Sequence, residues 1–99
     1  MQAVILTRVN PVGSMDYTPK RILMTADTKS QFNRLRSNQK EPETAAWIET
    51  ELRAGDVLYD IGANVGAYSL IAWAASGGQS KVYAFEASFS TFESLCRNI

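Results

Sequence analysis

The stretch that decides the fold is residues 55–86, GDVLYDIGANVGAYSLIAWAASGGQSKVYAFE. Within it, 57–61 (VLYDI) is apolar almost without a break until Asp60, as a strand covered by helices on both faces reads. Glycines and an asparagine interrupt the run over 62–66, and 66–76 then has the pattern of a helix with Ala67, Leu70, Ile71 and Ala74 facing inward. Gly77 and Gly78 end that helix, and 81–85 (KVYAF) reads as a second apolar strand. A strand, a helix and a strand this close together predict a parallel pair with a right-handed crossover. The expected class is α/β, a Rossmann-like βαβ unit with a helix and short strands ahead of it.

Downstream, Ser90-Thr91-Phe92-Glu93 has the spacing of a capping box and opens a last helix with Leu95 and Cys96 on its apolar side. Upstream, 42–53 reads as a helix. Pro42 stands in its first position and Glu43 supplies a first-turn charge that suits the macrodipole. Ala45, Ile48 and Leu52 form its apolar stripe, with Trp47 beside it and Gly55 as its cap, and the stripe is expected to pack on the following sheet. Thr28-Lys29-Ser30-Gln31 is another capping box, before a short helix to Arg36 with Phe32 and Leu35 as its apolar edge. Residues 37–41 read as a polar loop. Two β-like runs, 3–9 and 20–25, are separated by the turn signals Asn10-Pro11 and Gly13-Ser14 and are expected to form a hairpin-like flap. Residues 1–39 are thus expected to be a lead-in of strands and a helix, and 40–99 an incomplete Rossmann-like domain.

Composition narrows the function. Ninety-nine residues hold one small domain or part of a larger one. Ten basic and ten acidic side chains give zero formal charge, so no basic field argues for nucleic acid or a membrane surface. Histidine is absent, and the single cysteine rules out an intrachain disulfide and a multi-cysteine metal site, so no metal is expected. No signal peptide is evident, and no apolar run approaches the roughly 20 residues that span a bilayer. The expected location is the cytoplasm.

The turn Asp60-Ile61-Gly62-Ala63-Asn64-Val65-Gly66 carries the chemistry. In open parallel sheets, ligands bind beyond the carboxyl ends of the strands. Glycine at 62 leaves room for a ligand above the strand, Asn64 tolerates a left-handed backbone, and Gly66 lets the next helix start tight against the strand. The helix N-terminus offers N–H groups to an anionic group. Glu86, about two dozen residues after Gly62, stands at the neighbouring strand tip, where an acid accepts from ribose hydroxyls. Together these point to an adenosine-containing ligand. Asp60 discriminates further. An acid two residues before the first glycine is poorly suited to a doubly anionic pyrophosphate and well suited to an ammonium or sulfonium. The spacing also departs from G-x-G-x-x-G, with Asn64 at the second glycine position and Ala67 at the third.

These residues, with Tyr68-Ser69-Leu70 and Val82-Tyr83-Ala84-Phe85-Glu86, resemble the S-adenosylmethionine site of class I methyltransferases, and more narrowly the FkbM-type family. The flanks Lys40-Glu41-Pro42-Glu43-Thr44 and Phe92-Glu93-Ser94-Leu95-Cys96-Arg97-Asn98 are similar to that family's surroundings of the motif. The resemblance covers residues 40–99, and Ala87 departs from it where the family usually has proline. It implies that Asp60, Gly62, Asn64 and Gly66, with Ala63 in the same turn, hold the methionine part of S-adenosyl-L-methionine, Asp60 reaching the ammonium through water. Glu86 would hold the ribose, Ala87 and Ser88 would lie near the adenine, and Tyr68 would close over the methionine end. Glu41 and Glu43 are near enough in sequence to cap the site. The implied reaction is in-line methyl transfer to oxygen on a small-molecule or saccharide hydroxyl.

Substrate residues and any base belong to later strands and helices of such a fold. The 99-residue chain is therefore expected to lack turnover by itself and to offer unpaired sheet edges for self-association. Two other readings of the same unit stand beside this one. One is a nicotinamide-dependent oxidoreductase, and the other is a non-catalytic remnant that serves as a binding module. Trp47 and Trp73 read as packing residues, and Cys96 as a small core residue.

Overall fold

The computed structural model describes residues 12–99. In chain order the elements are β1 (Val12–Ser14), β2 (Leu23–Thr25), α1 (Lys29–Arg34), α2 (Ser37–Lys40), α3 (Pro42–Glu51), β3 (Val57–Ile61), α4 (Ala67–Ala75), β4 (Lys81–Phe85) and α5 (Phe89–Asn98). They form an α/β arrangement with two two-stranded sheets. β3 and β4 pair in parallel, from Val57↔Lys81 through Ile61↔Phe85. The strand expected over 3–9 lies outside the described residues.

The central unit forms for the reasons its sequence suggests. α4 buries Ala67, Ser69, Ile71 and Ala72. It ends in a Schellman motif: Gly78 N–H donates to Trp73 O at 2.8 Å and Gly77 N–H to Ala74 O at 3.0 Å. Both glycines have positive φ, and the Trp73 ring lies where a Cβ on Gly78 would stand. α4 covers one face of the sheet, with Leu58 and Val82 packed against the core that holds Ile71 and Ala72.

The other face is open, which corrects the expectation of a strand covered on both sides. Tyr59 is 65% exposed and Ile61 74% exposed, with Val57, Tyr83 and Phe85 also exposed beside them. No element among the described residues lies over them; the aromatic rings cover one another instead. Tyr59 meets Tyr83 edge-on at 5.5 Å and Phe85 at 6.0 Å. α3 buries Ala45 and Ile48 as expected, but it packs chiefly on α4 rather than on the sheet. It ends at Glu51, and Gly55 serves the turn into β3 rather than the helix cap, donating its N–H to Gln79 O at 2.9 Å.

The lead-in differs more. β1 pairs antiparallel with β2, Val12↔Thr25 to Ser14↔Leu23, so Gly13 and Ser14 are strand rather than turn. A Cβ on Gly13 would run into the end of the Leu35 side chain, so glycine lets β1 lie close against it. The Thr28 box forms: Gln31 N–H donates to Thr28 Oγ1 at 3.1 Å, while Gln31 Oε1 accepts from Asp27 N–H at 3.0 Å. Leu35 is buried as expected, but Phe32 is exposed while Gln31 is buried, with Gln31 Nε2 donating to Ser94 Oγ at 2.7 Å. The stretch read as a polar loop over 37–41 contains α2 instead. Its cap comes from afar: Asp16 accepts from Asn38 N–H at 3.1 Å and from Gln39 N–H at 2.7 Å.

α5 begins two residues earlier than the Ser90 box suggests, with Ser88 as its N-cap. It buries Ser94 and Leu95 and leaves Cys96 exposed, so Cys96 is no core residue. The helix lies along β2. Asn98 joins three parts of the chain: its Oδ1 accepts from Thr25 N–H at 2.9 Å and its Nδ2 donates to Val65 O at 2.7 Å. Among the described residues no helix is long and apolar enough to cross a membrane.

Two glycines of the central turn make different demands. Gly66 has φ +95, and a Cβ there would stand 2.8 Å from Leu95 Cδ1, whereas Gly62 has φ +77 and open space around it. Gly66→Ala combines backbone strain with overpacking and is expected to cost roughly 2–4 kcal/mol. Gly62→Ala carries the strain alone and is expected to cost about 1 kcal/mol. Urea denaturation measures both, and equal losses would show that Leu95 yields freely.

Candidate functional site

The turn between β3 and α4 is built against the tip of β4. Phe85 O accepts from Gly62 N–H at 2.9 Å and from Ala63 N–H at 2.8 Å. One residue on, Glu86 Oε1 accepts from Asn64 N–H at 2.9 Å. Glu86 Oε2 accepts from Ser88 N–H at 2.8 Å, so one carboxylate ties the turn to the start of α5. Each of its oxygens keeps a lone pair for a further donor. Asn64 sits at φ 56, left-handed and not glycine, which an asparagine accepts at low cost.

Two cavities flank this turn and share Gly62. The larger, of about 550 Å³, is walled by Ile61, Phe85, Phe92 and Ala87, with Glu86 at its side. The smaller, of about 200 Å³, lies toward the N-terminal segment and is walled by Ala63, Asn64 and Tyr68, with Arg34, Ser37 and Glu41 opposite. Gly62 borders both, and nothing stands within 4 Å of a Cβ built there.

The residues singled out in the sequence fall into three groups. Gly62, Ala63, Asn64, Tyr68, Glu86 and Ala87 line one or both cavities. Asp60 and Gly66 line neither. Asp60 Oδ2 accepts from Ser69 Oγ at 2.6 Å, which fixes the first turn of α4 to the strand end. Gly66 is the point where Leu95 of α5 comes closest, so its close approach is to that helix rather than to the strand. Ser88 caps α5 and holds Glu86 through its N–H. Glu43 is exposed on the first turn of α3 and lines neither cavity. Among the described residues no group of three or more His, Cys, Asp or Glu is placed to hold a metal ion.

Tyr68 is held hard. Its hydroxyl lies within hydrogen-bond reach of Glu41 Oε2, the nearer acceptor, and of Ser37 O at 3.2 Å. Burial first, then the hydrogen bond to Glu41 and its charge, push the phenol well above its ordinary 10.0. Tyr68 therefore stays a neutral donor and is unfit as a base. Sequence reasoning missed Arg34, Ser37, Ser69 and Asn98. Glu41 was placed near the site by its position in the chain, but nothing local pointed toward the other four.

The raised phenol fixes the sign of a pH effect. The folded state holds the Tyr68 proton more tightly than an unfolded chain titrating at 10.0. Its contribution is complete below that value and is lost as pH climbs through the higher folded pKa. Tyr17 is pushed the same way by burial and by the charge of Glu49. Stability is expected to fall as pH rises above about 10, and to fall less steeply in Tyr68→Phe, by urea denaturation across that range. An unchanged slope would mean that the folded protein does not hold the phenolic proton. The chain matches no protein-family model, no curated protein and no solved structure.

Proposed function

We propose that this chain is the cofactor-binding part of an S-adenosyl-L-methionine-dependent methyltransferase of the class I, FkbM type, acting on oxygen. The observation that carries the reading is the pair of cavities that meet at Gly62 beside the Glu86 carboxylate. The larger has apolar and aromatic walls that suit a flat adenine, with Ala87 among them. Glu86 has acceptor capacity left for ribose hydroxyls after meeting the amides of Asn64 and Ser88. The methionine end would run over Gly62, Ala63 and Asn64 into the smaller cavity, beneath Tyr68. Asp60, one oxygen fixed by Ser69, would act through water, and Gly66 would act by letting α4 begin under Leu95.

The bound cofactor supplies a sulfonium methyl group for in-line transfer to an acceptor hydroxyl. The chain's own residues bind and orient it; Tyr68 keeps its proton, and no residue of the turn is placed as a base. The acceptor is read as a small-molecule or saccharide hydroxyl on the resemblance alone. The open apolar face of β3 and β4 and their unpaired outer edges support association with further strands, a second copy included. An exposed free thiol at Cys96 fits a reducing, cytoplasmic setting.

Calorimetric titration of the full-length protein with S-adenosylhomocysteine tests the reading. Saturable binding is expected, weakened roughly tenfold or more by Glu86→Ala. Thermal melting of the variant is read alongside, because Glu86 also holds two backbone amides. Absence of binding, or binding indifferent to Glu86→Ala, would sink the idea. Displacement of the ligand by a nicotinamide dinucleotide would favour an oxidoreductase.

A further inference from the structure

The smaller cavity at the turn has a charge arrangement that the cofactor reading does not require. Arg34, at the end of α1, and Glu41, just before α3, line it together. Yet they do not pair with each other, and Arg34 makes no ion pair among the described residues. Glu41 is held on one side only, by the Tyr68 hydroxyl at Oε2. At about 200 Å³ the space equals roughly six or seven waters, enough for the head of an amino acid and too little for a nucleoside.

We propose that Arg34 and Glu41 hold the two ends of a zwitterionic α-amino acid group in this cavity, and so make the N-terminal segment the specificity element of the site. The inference rests on the cofactor reading above and adds to it which residues recognise the methionine head. The guanidinium presents a planar fork that matches a carboxylate. The free oxygen of Glu41 accepts from an ammonium, and its partner oxygen is fixed by Tyr68, which serves as a positioning residue. A lining that carries charges of both signs favours a zwitterion over a purely anionic group. A pyrophosphate would gain Arg34 and be repelled by Glu41. Arg34 lies before the residues that carry the family resemblance, so the assignment comes from the cavity rather than from the motif.

The test compares two probes on the full-length protein by calorimetry. S-adenosylhomocysteine carries the free amino acid, and 5′-methylthioadenosine carries the same nucleoside thioether without it. The wild type is expected to prefer S-adenosylhomocysteine. Arg34→Ala is expected to weaken it roughly tenfold and to leave 5′-methylthioadenosine unchanged, so that the preference shrinks. Glu41→Gln, which keeps an acceptor for Tyr68, is expected to act in the same direction. Both changes sit at exposed side chains, and unchanged melting confirms that the fold is intact. Equal weakening of both probes, or no change for S-adenosylhomocysteine in either variant, overturns the inference. If the wild type binds both probes equally, this inference fails while the cofactor reading stands. If it binds neither, the cofactor reading fails and takes this one with it.

Discussion

Three successive amides of one turn are bound by two successive residues of the neighbouring strand. Gly62 and Ala63 donate to the carbonyl of Phe85, and Asn64 donates to the carboxylate of Glu86. This arrangement exists only because β3 and β4 run in parallel and end together, Ile61 opposite Phe85. A two-residue slip would keep every side chain on its face and still carry Glu86 away from Asn64. The strand register therefore decides whether there is a site at all. Both cavities border this turn, and the helix that follows begins from it.

The rest of the chain holds that turn from behind. Ser69 fixes Asp60, Leu95 closes over Gly66, and Asn98 takes the carbonyl of Val65. The N-terminal segment adds a second wall through Arg34, Ser37 and Glu41. The glycines that leave one side of the turn open are thus bordered by polar and apolar contacts that stiffen the other side. Preorganisation of this kind lowers the ordering cost that a ligand would otherwise meet on binding.

The central unit was legible because its signals are local. Two apolar pentads, a glycine turn and a glycine pair fix β3, α4 and β4 to within a residue, and the hydroxyl of Thr28 marks the start of α1. What could not be read depends on residues far along the chain. Gly13 looks like a turn glycine and is a strand glycine under Leu35. Residues 37–40 carry no cap of their own and are capped by Asp16. Gln31 is buried for the sake of Ser94, while Phe32 and Cys96 face solvent. Glu86 was legible as an acid at a strand tip, but not as the carboxylate that holds the turn together. The apolar run of β3 is the same whether one face is covered or two, and only the placement of the helices separates the cases.

The hydrogen bonds of the Asn98 amide bear on the order in which the molecule assembles. Its partners are 73 residues away at Thr25 and 33 away at Val65. Closing loops of that span is slow compared with forming a hairpin or a helix. On a ribosome, the hairpin and the βαβ unit are both synthesised before Asn98 is added. Only when α5 arrives does the carbonyl of Val65 gain its donor. The 62–64 part of the turn is held as soon as β4 is in place, whereas its Val65 end gains its last hydrogen bond only with α5.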